Sequence, residues 1–160
     1  MAKGGTRAIV ALQTAGAEFR LHEFEHRPGD RNYGIVAATA IGVEPDRVFK
    51  TLVALADDTP VVAIVPVSHQ LSLRDLAAAV GAKRAEMCPP PVAERITGYV
   101  VGGISPFGQR KRLATVIDET CELFDTIYVS GGRRGLDLEL APATLVTLLD
   151  ATVAPIAADR

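Results

Sequence analysis

Four groups of residues in this chain have types and spacings that could do chemistry. Lys50 stands inside Val48-Phe49-Lys50-Thr51-Leu52-Val53-Ala54-Leu55, an apolar run that reads as a strand and would otherwise hold a hydrophobe there. Strand alternation places Val48, Lys50 and Leu52 on one face and Phe49, Thr51 and Val53 on the other. A lysine in that setting either lines a cavity, where its ammonium can meet developing negative charge, or snorkels at a sheet edge and blocks edge pairing. The second group is Val100-Val101-Gly102-Gly103-Ile104-Ser105-Pro106-Phe107-Gly108-Gln109, followed by the cations Arg110, Lys111 and Arg112. Gly102 and Gly103 lack Cβ atoms and let another group approach the main chain, while Pro106 pushes Ser105 towards an extended conformation. Such a loop can hold a phosphorylated or sugar-bearing ligand, and an ordinary strand–loop–strand connection carries the same signature. Ser130 opens the third group, a second cationic glycine turn, Gly131-Gly132-Arg133-Arg134-Gly135. Asp137 and Glu139 are the fourth; they share one face of the strand Leu136–Leu140, directed at a ligand or at solvent. Two glycine turns and Lys50 could converge on one cleft.

Other chemistries find less support. His22-Glu23-Phe24-Glu25-His26 matches the HExxH zinc signature in letters, but that motif requires a helix. This segment follows a strand pattern, which would separate the two histidines by about 13 Å at ~3.3 Å per residue. No metal or other cofactor is expected. There is no Gly-x-Ser-x-Gly elbow, and the histidines are only His22, His26 and His69. Cys88 and Cys121 have no metal-ligand or redox spacing and read as small buried hydrophobes in a reducing compartment. The net charge of −2 argues against coating duplex DNA, although a local basic patch could grip a single-stranded end. With 5% aromatic residues and no tryptophan, a broad base-stacking platform is not expected. No signal-peptide core and no membrane-spanning run occurs, so a cytoplasmic protein without a membrane partner is expected.

The elements that must position these groups read as one mixed α/β domain over residues 1–160, with 48% hydrophobic residues to build a core. Helices are expected over 6–15, 35–41, 72–80, 92–97 and 143–149, and strands over 19–24, 48–55, 61–65, 84–87, 113–117, 126–129 and 136–140. Residues 99–101 read as strand-like, and 26–32 as a loop. Asp57-Asp58-Thr59 joins two strands as a hairpin with a slightly long loop. The absence of regular βαβ alternation excludes a doubly wound nucleotide fold. A curved, barrel-like mixed sheet flanked by helices is the expected architecture.

Phe49-Lys50-Thr51-Leu52, Gly98-Tyr99-Val100-Val101-Gly102-Gly103-Ile104-Ser105-Pro106-Phe107-Gly108 and Ile127-Tyr128-Val129-Ser130-Gly131-Gly132-Arg133-Arg134-Gly135-Leu136-Asp137, in this order and spacing, resemble the YbaK/EbsC family. Its members are free-standing relatives of the editing domain inserted in bacterial prolyl-tRNA synthetases. The resemblance implies a trans-editing deacylase for mischarged proline tRNA, with Cys-tRNA(Pro) favoured and Ala-tRNA(Pro) the alternative. A non-catalytic module binding the tRNA end or the synthetase is a further alternative. It also implies prolyl-tRNA synthetase as a partner. Carried over by position, Lys50 and Gly102 would be catalytic. Phe24, Tyr33, Thr51, Gly103, Ile104, Ser105, Pro106, Ser130 and Asp137 would contact the substrate, Gly102 to Pro106 clamping the terminal ribose and aminoacyl group. Phe24 stands where close relatives can carry tyrosine, so a hydroxyl is absent there. The attacking group would come from the substrate thiol, the ribose 2′-hydroxyl or water. Cyclisation of the thiol would make the first step lyase-like.

Overall fold

The computed structural model describes residues 5–27, 29 and 32–158. Pro28, Asp30 and Arg31 of the expected 26–32 loop, and the chain ends 1–4 and 159–160, lie outside the described residues. In chain order the elements are α1 (Arg7–Thr14), β1 (Arg20–Glu23), α2 (Tyr33–Ile41), β2 (Phe49–Ala56), β3 (Thr59–Pro66), β4 (Gln70–Leu71), α3 (Leu73–Val80) and β5 (Ala85–Met87). There follow α4 (Pro90–Thr97), β6 (Ala114–Asp118), β7 (Ile127–Arg133), β8 (Leu136–Leu140), α5 (Pro142–Leu149), β9 (Thr152–Ala154) and β10 (Ala157–Ala158).

Local chemistry accounts for the boundaries. The Thr6 hydroxyl accepts from the Ile9 amide to cap α1, and Ser72 does the same for α3 through the Asp75 amide. Helices α2, α3 and α4 each end on a left-handed glycine, Gly42, Gly81 and Gly98. The β2–β3 hairpin is tighter than expected. Ala56 pairs with Thr59, leaving Asp57 and Asp58 as a two-residue turn with φ of 46° and 70°. Both central residues are left-handed, which matches the strand twist of a short hairpin. Residues 99–101 form no strand, and α4 begins at Pro90 because proline suits the first helical turn, where its missing N–H costs nothing.

The expected mixed α/β architecture forms, with its strands divided among several sheets. Among the described residues the strands make three sheets, ordered β1-β8-β7, β10-β4 and β5-β2-β3-β6-β9, with no closed barrel. The larger sheet is mixed: β2–β3 is antiparallel, whereas β3–β6 and β6–β9 are parallel. Between the two main sheets runs a single parallel bridge, Val48 to Tyr128. Leu136, Leu138 and Leu140 of β8 pack with Phe49 and Val53 of β2 in the largest core cluster, so the sheets share an interior without sharing a ladder.

The C-terminal segment, which reads in sequence only as an apolar tail, is tied down by one carboxylate. Asp118, 2% exposed, accepts from the amides of Ile156 and Ala157 through Oδ1, and from the amide and hydroxyl of Thr120 through Oδ2. Burial works against its ionisation, but these hydrogen bonds outweigh it and hold the group below the ordinary carboxylate range. A depressed native pKa contributes stability at neutral pH that is lost as pH falls through it. Asp118→Ala is therefore expected to cost about 3 kcal/mol at pH 7, by leaving buried amides unpaired. Chemical denaturation should show the gap to the parent protein closing below about pH 4.

Candidate functional site

The site forms where the two main sheets diverge. The Val53 carbonyl accepts from the Cys88 amide at 3.1 Å on one edge of β2, while the Val48 carbonyl accepts from Val67 at 2.7 Å on the other. Successive residues of a strand turn their backbone groups to opposite edges, so Thr51 faces the same edge as Val53. There β5 pairs only with Ala54 to Ala56, and beyond Thr51 the Val48–Tyr128 bridge closes the gap. The edge of β2 between them opens into a pocket of about 360 Å3, within the usual range for small-ligand sites.

Four further walls complete the pocket: the first turn of α2, the Gly102 loop, the β7–β8 hairpin and the segment leading into α4. Helix α2 comes close because Gly34 has no side chain; a Cβ there would collide with the side chain of Val67. Ala37 and Ala38 then seat the helix on Val48 and Tyr128.

The two glycine turns meet back to back. A Cβ on Gly103 would lie 2.8 Å from the Arg133 Cα and 2.9 Å from the Arg134 nitrogen, so only glycine allows these main chains to touch. Gly102, with φ of 89°, lies against the Tyr33 ring, 2.6 Å from Cδ2 for any added Cβ. Arg134 locks this stack: its Nε donates to the Val101 carbonyl at 2.9 Å and its guanidinium lies 4.5 Å from the Tyr33 ring centre. The loop is braced from behind as well. Val101 donates to Glu94 Oε2 at 2.8 Å, and the Tyr99 hydroxyl donates to the Phe107 carbonyl at 2.6 Å.

Of the residues singled out in sequence, Phe24, Tyr33, Lys50, Thr51, Gly102, Ile104, Ser130 and Asp137 all border the pocket. Gly103, Ser105 and Pro106 do not. The Gly103 amide is already committed to the Val100 carbonyl at 2.8 Å. Ser105 is fully buried, its hydroxyl accepting from the Phe107 amide at 3.3 Å. All three are buried within the loop, behind its pocket-lining residues Gly102 and Ile104. Sequence reasoning missed Gly34 and Val67 and treated Arg134 only as an adjacent cation; its reading of Cys88 as a small buried residue holds, at 5% exposure. Cys88 stands in the pocket wall with its thiol pushed up by burial, against a smaller opposing effect of Arg95. A protonated thiol is a poor nucleophile.

The pocket holds one basic and one acidic side chain, Lys50 and Asp137, that form no ion pair with each other. Burial lowers the Lys50 pKa, and its ammonium forms no ion pair among the described residues. Asp137 is 6% exposed, and burial pushes it up to about 7. The Thr51 hydroxyl, on a residue 8% exposed, has no hydrogen-bond partner among the described residues. Ser130, paired across the ladder with Asp137, uses its hydroxyl to accept from the Gly132 amide at 3.2 Å.

The expected pairing of Asp137 and Glu139 on one face holds, but neither faces bulk solvent freely. Glu139 binds His22 at 2.8 Å and the Thr126 hydroxyl at 2.7 Å, and Arg47 reaches the same threonine. His22 thus belongs to a strand and a cross-strand pair, in a backbone unlike the helix that an HExxH zinc site needs.

An acid with a raised native pKa makes folding less favourable as pH rises from its unfolded value to its folded one. For Asp137 that window runs from 3.8 to about 7. Asp137→Asn should leave the melting temperature unchanged near pH 4 and raise it by roughly 5–10 °C at pH 8, read by a calorimetric pH series.

Comparison with known proteins places this architecture. Residues 35–148 match the model of the aminoacyl-tRNA editing domain. The chain is 41% identical over 120 residues to EbsC of Enterococcus faecalis, named as a candidate Cys-tRNA(Pro)/Cys-tRNA(Cys) deacylase, covering 74% of this chain and 73% of that protein. It is 30% identical over 136 residues to the multifunctional Ser/Thr-tRNA deacylase ProXp-y of Escherichia coli K12, covering 82% and 81% respectively. A crystal structure described as a candidate trans-editing enzyme for prolyl tRNA synthetase superimposes with a TM-score of 0.86 over 99% of both chains, at 24% identity, and so shares the fold. With residues 35–148 matching the family model and most of the chain covered by a relative at 41% identity, the chain belongs to the aminoacyl-tRNA editing domain family.

Proposed function

We propose that this protein is a trans-acting deacylase that hydrolyses the ester of mischarged proline tRNA, with cysteinyl-tRNA(Pro) its favoured substrate. The observation that carries the reading is the unpaired Lys50 and the unpaired Asp137 in one pocket, with the pocket cysteine held protonated. An aminoacyl ester is already activated, so the protein need only position it and stabilise the developing oxyanion. Lys50 supplies the positive charge. Gly102 and Ile104, whose amides find no acceptor among the described residues, supply further donors. Asp137 faces the α-ammonium of the aminoacyl group, and Tyr33 with Phe24 walls the terminal adenosine.

The substrate thiol attacks its own ester carbonyl. The bond from that carbon to the ribose 3′-oxygen breaks, the ribose oxygen takes the thiol proton, and water opens the resulting thiolactone to free cysteine. The 2′-hydroxyl or water is the alternative attacker. The free Thr51 hydroxyl favours a side chain that can hydrogen-bond, since leaving it unpaired against alanine sacrifices affinity. The same hydroxyl, with the Ser/Thr-tRNA deacylase relative, favours seryl-tRNA as the second reading. Selection of the tRNA body would fall to prolyl-tRNA synthetase, the enzyme named for the superimposed structure.

A deacylation panel of Cys-, Ser-, Ala- and Pro-charged proline tRNA tests the proposal. Cysteine should be released fastest, and Lys50→Ala should lower kcat/KM by about 100-fold or more while tRNA binding stays within about threefold. Release of none of the four amino acids would overturn the enzymatic reading. Undiminished activity in Lys50→Ala would remove the lysine from the mechanism.

A further inference from the structure

Five cations collect about the C-terminal end of α4 and the loop after it, beside the segment whose Val101 and Gly102 line the pocket, and outside everything the mechanism above uses. Arg7 NH1 and Arg110 Nε converge on Gly98, at 3.0 and 3.5 Å from the position a Cβ would take there. Arg95 stands in the last turn of α4, immediately before Gly98, and Lys111 and Arg112 continue the chain from Arg110. All five are exposed, and none of them forms an ion pair among the described residues. The one acid in the same turn of α4, Glu94, has its Oε2 committed to the Val101 amide.

The placement is built into the fold. Gly108 packs against the backbone of Arg7, within 2.5 Å for any added Cβ, so the loop draws the start of α1 to its side. The Arg110 amide donates to the Thr97 carbonyl at 2.9 Å, fixing the arginine at the end of α4. The carbonyls at that helix end favour one or two cations by the macrodipole. Five unpaired cations in a chain of net charge −2 go well beyond that. The cluster also adjoins the pocket, since Val101, three residues after Gly98, lines it.

We propose that this cluster seats the phosphates of the RNA strand whose 3′ end enters the pocket. The inference rests on the function proposed above, because one polyanion must then serve both the pocket and the cluster. It assigns that polyanion's backbone to Arg7, Arg95, Arg110, Lys111 and Arg112, and leaves Lys50 to the ester.

Two variants test it, R110A/K111A/R112A and R7A/R95A, each measured for affinity towards uncharged tRNA across a salt series and for hydrolysis of cysteinyl-adenosine, which has no phosphate. The triple variant should bind tRNA about tenfold more weakly, with a salt slope shallower by about 2, at ~0.7 per lost phosphate contact. Turnover of cysteinyl-adenosine should stay within twofold. The double variant should show the same pattern with a smaller change in slope. Unchanged tRNA affinity and slope in both variants would overturn the phosphate seat while leaving the deacylase reading intact. Equal loss on tRNA and on cysteinyl-adenosine would also overturn it, by pointing to a damaged pocket. If the parent protein hydrolysed no ester yet bound tRNA through these cations, the deacylase reading would fail and the phosphate seat would stand.

Discussion

The contact on which the rest of the site depends is between two stretches of bare backbone. Gly103 touches the main chain of Arg133 and Arg134, at separations where any Cβ would force the turns apart. Through that contact a loop between α4 and β6 and a hairpin between β7 and β8 become one wall. Gly102 is thereby presented to the Tyr33 ring, and Arg134 closes the stack by holding both the ring and the Val101 carbonyl. An arginine locked over an aromatic face has little freedom left to lose when a ligand arrives, which is what preorganisation requires.

The second constraint is the divergence of the sheets. Val48 bridges Tyr128 once, after which β2 and β7 separate and their shared interior becomes a pocket. A strand edge exposed in this way is ordinarily a liability for aggregation. Here it is covered by α2 and by the segment leading into α4, and its free polar groups turn inward. Lys50 and Asp137 remain apart within that enclosure, each penalised by burial and neither relieved by the other. Leaving such groups unpaired costs stability, and sites that do so commonly have a ligand to complete them. Oxyanion stabilisation by a desolvated ammonium and fixed backbone donors is a sufficient means of accelerating ester cleavage without a protein nucleophile.

Much of this was legible in the chain. Caps and glycine stops bounded the helices within a few residues, as with Ser72 and Gly81, because those signals are local. Lys50 was conspicuous because a charge interrupts an apolar strand. The glycine turns were conspicuous because paired glycines carry a conformational cost that few other settings repay. Less legible were the short strands β4, β9 and β10: β9 pairs with β6, β10 pairs with β4, and Asp118 and the Ser72 amide hold the tail between them. Gly34 was equally silent: a helical glycine looks like a weak position until the approach of Val67 is known.

The amino-acid sequence by itself thus determined most of the helices and strands, the two cationic glycine turns, a lysine set inside an apolar strand and the membership of an editing family. It did so because residue types, spacing and turn chemistry are properties of neighbouring positions. Only the tertiary structure decided that the strands divide among several sheets, and that Gly103, Ser105 and Pro106 support the pocket wall while Gly102 and Ile104 line it. It alone decided that Asp137 is buried and Glu139 bound to His22, although both alternate on the same face. Those outcomes depend on what packs against each group from distant parts of the chain, and burial, pairing and the resulting pKa shifts exist only once those parts have met.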